Sequence, residues 1–565
     1  MWKKFFPPLT WMRGYRSGTF SNDLIAGITL AAYGIPVSMA YATLAGLPPQ
    51  YGIYGYLVGG LFYALLGTGK QLAIGPTSAI SLLVGTTITG MAQGDVQRWA
   101  DIASLTALVF AMLALLAYVL RLSGIINFIS ESVLVGFKAG AGLTIGLTQL
   151  PKLFGVPGGG ETFFERIGVL FRQLPEMQFA VLIFGLVAIA LLYSGEKLLP
   201  GKPVAIVIVI VSIVLMTQTT MGALGISMVG EIPSGLPAFH MPVLRIQDVD
   251  GVVPLALACF LLSYIESVSA GKSLAQKNGY EIDPRQELLA LGVANAATAM
   301  GQGYPVAGGL SQSSVNNAAG AKTPLSLVFA SGAIALCLLF LTGYLQHLPN
   351  VILASIVFVA ILGLFDIKEF IHLFKVSKTE FTVASIALLG VIFFGILKGV
   401  LIAAIASIVL LIKATSNPYV AFLGRIPGTK RYSDMARHPD NEAIPGLLLV
   451  RVESSILYFN AENIYSAIMS KVDQADPPYQ MVLMDLNTSP YVDVAGARFF
   501  KKLFKALQSR GIRLDVAEAR SEVRDILRAE QLDTMLGPIT RFDSIHHLVK
   551  EFQGHHHEDK ENEVK

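Results

Sequence analysis

Charge is what this 565-residue sequence has least of. Asp, Glu, Lys and Arg make up 14% of it, against about 25% in an ordinary soluble domain. That shortage, with 53% hydrophobic residues and a mean hydropathy of +0.59, excludes a fully soluble enzyme and fits a polytopic membrane protein. Cysteine is nearly absent. The two present, Cys259 and Cys337, sit in apolar runs, which excludes a disulfide framework and a cysteine metal cluster. Net charge is also small, +3 from 42 basic and 39 acidic residues, too little to argue for a nucleic-acid partner. No P-loop, no paired His/Glu metal spacing and no Ser-His-Asp set at one depth occurs. ATP-driven transport and membrane enzymology are set aside, and no cofactor or metal is expected.

The charge that exists is unevenly placed. Residues 1–415 hold 23 basic and 18 acidic residues, and 416–565 hold 19 and 21. About 10% of the first part is charged and about 27% of the second, the value of a soluble domain. A membrane body therefore precedes one soluble tail domain. The first apolar run begins near Leu24, after Lys3, Lys4, Arg13 and Arg16, and has no clear cleavage site. Four basic residues ahead of the first span predict a cytoplasmic N-terminus. A large charged tail is also easier to leave in the cytoplasm than to translocate, so the span number is expected to be even.

Apolar runs are clear at 102–120, 179–195, 203–216, 252–265, 325–345, 351–365, 381–397 and 399–412. Glycine-rich runs lie at 24–45, 51–67, 133–150 and 288–300, and half-apolar segments at 75–89 and 310–321. The count is about fourteen. The two half-apolar segments open on Gly75-Pro76-Thr77-Ser78 and on Gly309-Leu310-Ser311-Gln312-Ser313. A Gly or Pro break followed by hydroxyl residues reads as a helix that starts inside the membrane with Ser or Thr at its N-cap. Such backbone is tolerated only where it lines a cavity. Each segment is third in its half of seven, which points to an inverted-repeat transporter and its binding site. Two ordinary kinked helices are the plainer reading.

Several stretches carry a resemblance. Leu47-Pro48-Pro49-Gln50-Tyr51-Gly52-Ile53-Tyr54, Gln71-Leu72-Ala73-Ile74-Gly75-Pro76 and the stretch from Asn295 to Asn317 resemble, in this order, motifs of the sulfate permease (SulP) anion transporters. The tail resembles a STAS domain. The resemblance spans roughly residues 20–550. It implies an all-α membrane domain of fourteen spans in two inverted repeats, with a core domain (spans 1–4 and 8–11) moving against a gate domain (spans 5–7 and 12–14), often as a homodimer. The boundaries expected are a cytoplasmic segment 1–20, the transport domain 21–415, a linker 416–440, the STAS domain 441–553 and a disordered tail 554–565.

Two helix N-termini that face each other offer free N–H groups and about +0.5 of a charge apiece. Thr77, Ser78, Ser311 and Ser313 are the candidate hydroxyl donors, and the family places the residues matching Thr77 and Ser311 in the anion pocket. Gln312 stands where several relatives have arginine, and still donates hydrogen bonds. Tyr41 follows Pro36 in span one, where relatives often set an aromatic against the anion; a packed core tyrosine is the alternative. Glu266 lies in the eighth apolar run, where an ionisable group marks function by default. Relatives carry Asp or Glu there, implicated in coupling to a cation, so Glu266 is the expected coupling site for a proton or sodium. A structural carboxylate is the plainer reading. Lys138, in span five, is either a gate-side charge on the anion path or an interface lysine that snorkels.

In the tail, 447–452, 480–486 and 512–517 read as strands and 495–508 as an amphipathic helix, which together predict an α/β fold. STAS domains often carry a phosphorylatable serine in Asp-Ser-Ser-Gly. Here the match is Asp493-Val494-Ala495-Gly496, without a hydroxyl. His555-His556-His557 reads as a solvated tail.

The expectation is a secondary active anion transporter in the lipid bilayer of a bacterial inner membrane, both termini cytoplasmic. Proton-coupled sulfate uptake leads, with a possible cytoplasmic regulator acting through the STAS domain. Bicarbonate or dicarboxylate transport (sodium-coupled or by exchange) and an anion channel are the alternatives.

Overall fold

The computed structural model describes residues 7, 12, 15–92, 95–124, 131–160, 162–199, 203–219, 226–243, 245–362 and 366–563. Most of the expected segment 1–20 and the side chains of the histidine run lie outside the described residues. The chain forms two compact units, Met1–Ile408 and Val409–Lys565.

The first unit is built twice over. Its first half runs α1 (Ser17–Leu44), α2 (Pro49–Leu66), the two-residue strand β1 (Ile74–Gly75), α3 (Ser78–Ala92), α4 (Val96–Val119), α5 (Glu131–Phe154), α6 (Phe163–Gln173), α7 (Phe179–Leu198) and α8 (Val204–Gln218). The second runs α9 (Val249–Lys277), α10 (Pro284–Met300), β2 (Ala307–Gly308), α11 (Leu310–Ala318), α12 (Leu325–Phe340), α13 (Asn350–Leu362), α14 (Ile367–Val376), α15 (Lys378–Phe394) and α16 (Ile396–Ser416). Each helix has a counterpart eight places on. α6 and α14 are both short and amphipathic, with an acid in the first turn (Glu165, Glu369) and a base in the last (Arg172, Lys375) that suit the helix dipole.

Packing repeats in the same way. α4 lies against α9 and α10 as α12 lies against α1 and α2, and α5 meets α15 as α13 meets α7. The start of α9 is tied to α4 by Asp248, whose carboxylate accepts from Arg98 at 2.7 Å. In the matching place Asp23 of α1 accepts from the backbone N–H groups of Lys322 and Thr323 just ahead of α12. β1 pairs antiparallel with β2, Ile74 opposite Gly308 and Gly75 opposite Ala307, a self-matching contact that sits on the pseudo-two-fold axis.

Helix contacts sort into two groups, α1–α4 with α9–α12 and α5–α8 with α13–α15. These are the expected core and gate. They touch through α1 with α8 and α13 and through α3 with α5 and α13.

Among the described residues five stretches are long and apolar enough to cross a membrane unaided: Ser17–Leu44, Gln97–Val119, Ser132–Phe154, Val249–Lys277 and Asn350–Val376. The pair Phe163–Glu176 and Phe179–Gly195, bent by 118°, makes six at most. The remaining expected runs fall in helices that are shorter than ~20 residues or richer in glycine and polar side chains, such as the 15-residue α8. Both cysteines are buried.

Glycine sets the closest approaches. A Cβ on Gly75 would collide with the ring of Tyr56, which is itself fully buried. Gly46 ends α1 with φ +74°, the left-handed conformation that favours glycine.

The second unit holds a five-stranded sheet in the order β4-β3-β5-β6-β7, with β3 (Val420–Arg425), β4 (Tyr432–Asp434), β5 (Leu447–Val452), β6 (Met481–Asp485) and β7 (Arg513–Ala517). β5, β6 and β7 are parallel; β3 is antiparallel to both its neighbours. Right-handed crossovers need helices, supplied by α17 (Ala461–Asp473) and α18 (Val494–Gln508), and α19 (Ser521–Ala529) follows β7. α18 buries Phe499, Phe500, Leu503 and Leu507 against the sheet, and Asp493 caps it by accepting from Gly496 N–H at 2.7 Å. Two expectations are corrected here. Segment 416–440, read as a linker, supplies β3 and β4, because alternate residues of 420–425 bury against the sheet. The chain beyond residue 553, read as disordered, continues as the helix α20 (Ile545–Glu563).

Two substitutions check this packing. Gly75→Val should abolish correctly folded transporter, read as loss of the monodisperse peak in fluorescence-detected size exclusion, because neither Tyr56 nor the paired strand can yield. Phe500→Ala should cost the second unit about 3–5 kcal/mol, read as a lowered urea midpoint with unchanged slope.

Candidate functional site

Two interrupted helices start at the centre of the core group. The carbonyl of Thr77 accepts the first helical bond of α3 from Ser81 N–H at 2.9 Å, and that of Gly309 accepts from Ser313 N–H at 3.0 Å for α11. Thr77 and Gly309 are thus the N-caps. The expected hydroxyl cap bond is made at neither start: Thr77 Oγ1 has no hydrogen-bond partner, and α11 begins on a glycine without a side-chain bond. The first-turn amides of both helices lack intrahelical partners. The two ends approach directly. Gln312 Nε2 donates to the Pro76 carbonyl at 2.6 Å, and a Cβ on Gly309 would lie 3.4 Å from Thr77 Cγ2.

Side chains hold the backbone ahead of each start. Asn295 accepts from Val306 N–H at 2.9 Å and donates to the Val306 carbonyl at 3.1 Å. Ser267 accepts from Gly308 N–H at 2.8 Å. Ser313 accepts from Ala73 N–H at 2.9 Å and donates to the Gly309 carbonyl at 2.7 Å. Ser313 is therefore a brace between the two interrupted segments, not a donor to the cavity. Its direction follows from the helical register of α11, which sequence spacing alone did not resolve.

A cavity of about 150 Å³ opens beside these ends. Ala79 of α3 and Leu310 of α11 form one wall. Leu262, Glu266, Ser269, Ala270 and Ser273 of α9 form another, and Leu134, Phe137 and Lys138 of α5 close it. It lies between core and gate helices. Glu266 and Lys138 are half-buried and line the cavity together. Lys138 and the Thr77 hydroxyl are the groups that act on the Glu266 carboxyl, whose Oε2 is buried without a hydrogen bond. Thr77 Oγ1 and Gln312 Oε1 are likewise buried without one of ordinary geometry. Three buried oxygens without partners at and beside the two helix starts, of which Glu266 Oε2 belongs to a residue that lines the cavity, are a costly arrangement for a purely structural region.

The structure thus brings Thr77, Glu266 and Lys138 together, with Ser78 buried at the first turn of α3 and Gln312 bridging to Pro76. Ser311 is exposed on the first turn of α11. Tyr41 is buried near Tyr56 and Tyr304 and does not line the cavity. Ser269 and Ser273 were missed. Their spacing from Glu266, three and seven residues on, marks one helical face and was legible in the sequence.

Each of the two units matches a known family. The model of the sulfate permease family matches residues 20–387, and that of the STAS domain matches 438–547. A probable sulfate transporter of Mycobacterium tuberculosis is 30% identical over 547 residues, covering 97% of this chain and 98% of its own. The chloroplastic sulfate transporter 4.1 of Arabidopsis thaliana is 32% identical, over 96% of this chain and 82% of its own. Among solved structures, the anion transporter SLC26A9 of mouse in an inward-facing state has a TM-score of 0.90 at 23% identity, over 97% of this chain and 94% of that one. The transmembrane domain of the cyanobacterial bicarbonate transporter BicA has a TM-score of 0.60 at 21% identity, over 70% and 98%. These two show a shared fold. With a family match over well more than half its length and an interrupted-helix pair at its centre, the chain belongs to the sulfate permease family, as an integral membrane anion transporter with a C-terminal STAS domain.

Proposed function

We propose that this protein carries sulfate inward with a proton, the anion held between the N-termini of α3 and α11 while the core group moves against the gate group as an elevator. The observation that carries the reading is the meeting of Glu266 and Lys138 in the cavity beside the two helix starts. Helix ends supply about +1 together and Lys138 a further +1. With Glu266 ionised the site sums to about +1; with Glu266 protonated it sums to about +2. Sulfate, at −2, is matched only in the protonated state, so proton and anion bind as a pair whose transfer leaves little net charge to bury. The names of the relatives, sulfate transporters of a mycobacterium and a plant, support the same substrate. Fourteen spans, cytoplasmic termini, a bacterial inner membrane, a homodimer and a regulator acting on the STAS domain complete the proposal. Thr77, Ser78 and Ser311 are the polar groups assigned to the anion, with Tyr41 behind them, and Gln312 fixes the distance between the two helix starts.

Labelled sulfate uptake into proteoliposomes tests this. With an inward proton gradient the wild type should accumulate sulfate above equilibrium. Glu266→Gln should lose accumulation while retaining sulfate–sulfate exchange, because a neutral amide keeps the protonated form's charge. Accumulation that survives the substitution would return Glu266 to a structural role. Lys138→Gln should raise the KM for sulfate by at least tenfold, the equivalent of ~1.4 kcal/mol, and affect bicarbonate less. Equal effects on both anions would refute the charge-matching argument.

A further inference from the structure

The loop between α2 and β1, residues 67–73, delivers the chain to the site, and almost every residue of it is held by a polar contact. At its start stands Glu287, in the first turn of α10, fully buried. Its carboxylate accepts from Tyr63 Oη at 2.7 Å, from Thr68 N–H at 2.8 Å and from the Thr68 hydroxyl. Gly69 N–H donates to Tyr63 Oη at 3.3 Å. Further along, Lys70 N–H donates to Tyr280 Oη at 2.9 Å, and Tyr280 Oη donates to Gln71 Oε1 at 2.9 Å. Gln71 Nε2 donates to the Ala321 carbonyl at 3.1 Å, while Asn316 Nδ2 donates to the Gln71 carbonyl at 3.1 Å. Ala73 N–H reaches Ser313 of α11. One polar chain therefore runs from the start of α10 to the interrupted pair.

Two features separate Glu287 from an ordinary buried acid. Its partners are neutral donors, three of them, where an apolar side chain of similar shape would cost less to bury. It also breaks the two-fold repeat: the ties of Asp23 and Asp248 recur in both halves, while among the described residues the Glu287 contact with the end of α2 has no counterpart drawn from α2 on the start of a matching loop. A carboxylate gathers donors from one short segment and so fixes position more narrowly than packing does.

We infer that Glu287 is a positioning residue for transport: it clamps the 67–73 loop, and through it sets where β1 and the N-terminus of α3 stand relative to α11. This rests on the reading of the α3–α11 pair as the anion site. The amides of α3 serve an anion only within hydrogen-bond distance, so a loosened loop lowers affinity before it lowers stability.

The test uses the full-length protein in proteoliposomes, with labelled sulfate as the probe. Glu287→Gln and Tyr63→Phe should each raise the KM by about tenfold, the scale of one hydrogen bond to a charged group, with turnover per folded transporter and melting temperature close to wild type. Thr68→Ser, which keeps both donors, should restore wild-type KM, and Thr68→Val should not. Amide hydrogen exchange over 68–75 should speed up by about tenfold in Glu287→Gln. A lowered melting temperature with unchanged KM would make the cluster structural only and overturn the inference. If the wild type moves no sulfate, the reading of the site fails instead. The exchange measurement then decides the clamp alone, and unchanged exchange over 68–75 overturns it.

Discussion

Two residues of β1 and two of β2 carry the organisation of the whole membrane unit. Backbone N–H and C=O groups inside a bilayer must be paired, since water is not there to take them. An interrupted helix leaves such groups unpaired by construction. Here each interruption serves the other, Ile74 with Gly308 and Gly75 with Ala307. What the strands leave over is taken by Asn295, Ser267 and Ser313. The satisfied segments stop at Thr77 and Gly309, and beyond them the first-turn amides of two helix starts have no intrahelical partner. The proposed anion site thus rests on a hydrogen-bonding constraint and needs no basic side chain in its innermost part.

The side chains that carry formal charge stand at the margin of this site and on different groups of helices. Glu266 belongs to α9 in the core group and Lys138 to α5 in the gate group. In the proposed movement the helix dipoles would travel with the core and stay constant. A relative shift of the two groups changes the distance from Lys138 to both the carboxyl and the helix ends, and Coulomb energy in a poorly solvated cavity is steep in distance. Charge balance is therefore a property of the arrangement as well as of the residues.

Much of this was legible in the sequence. Charge density divides membrane body from soluble tail after residue 415, and the two compact units divide at Ile408 and Val409. Gly75-Pro76-Thr77 and Gly308-Gly309 gave away both helix starts, because glycine and proline next to hydroxyls have few other uses at that depth. Glu266 stood out by the cost of its charge. Other features were hidden for physical reasons. Ser313 looks like Ser311 in sequence, yet a turn of 100° per residue sends one hydroxyl to Ala73 and leaves the other exposed. β3 follows directly on α16 and is only six residues long, so charge density classed it with a linker. Glu287 carries no signal until the fold brings Thr68 onto it, more than two hundred residues away in sequence.

The repeat is symmetric in shape and asymmetric in chemistry. α1 and α9 are counterparts, but only α9 carries an acid beside the cavity; the acid of α1, Asp23, is spent on backbone ahead of α12. α3 starts after a threonine and α11 after a glycine, neither of which makes a side-chain cap bond. Two equal halves would present an anion with two equal protonation sites and no reason to favour one proton over two. One carboxyl and one lysine at a pair of equivalent helix ends remove that degeneracy. In the proposed cycle the inverted repeat would supply two interchangeable ways to pack the core against the gate, which alternating access requires. The single Glu266 would supply a binding step that differs between protonated and ionised states, which the proposed coupling requires, and neither requirement can be met by the element that meets the other.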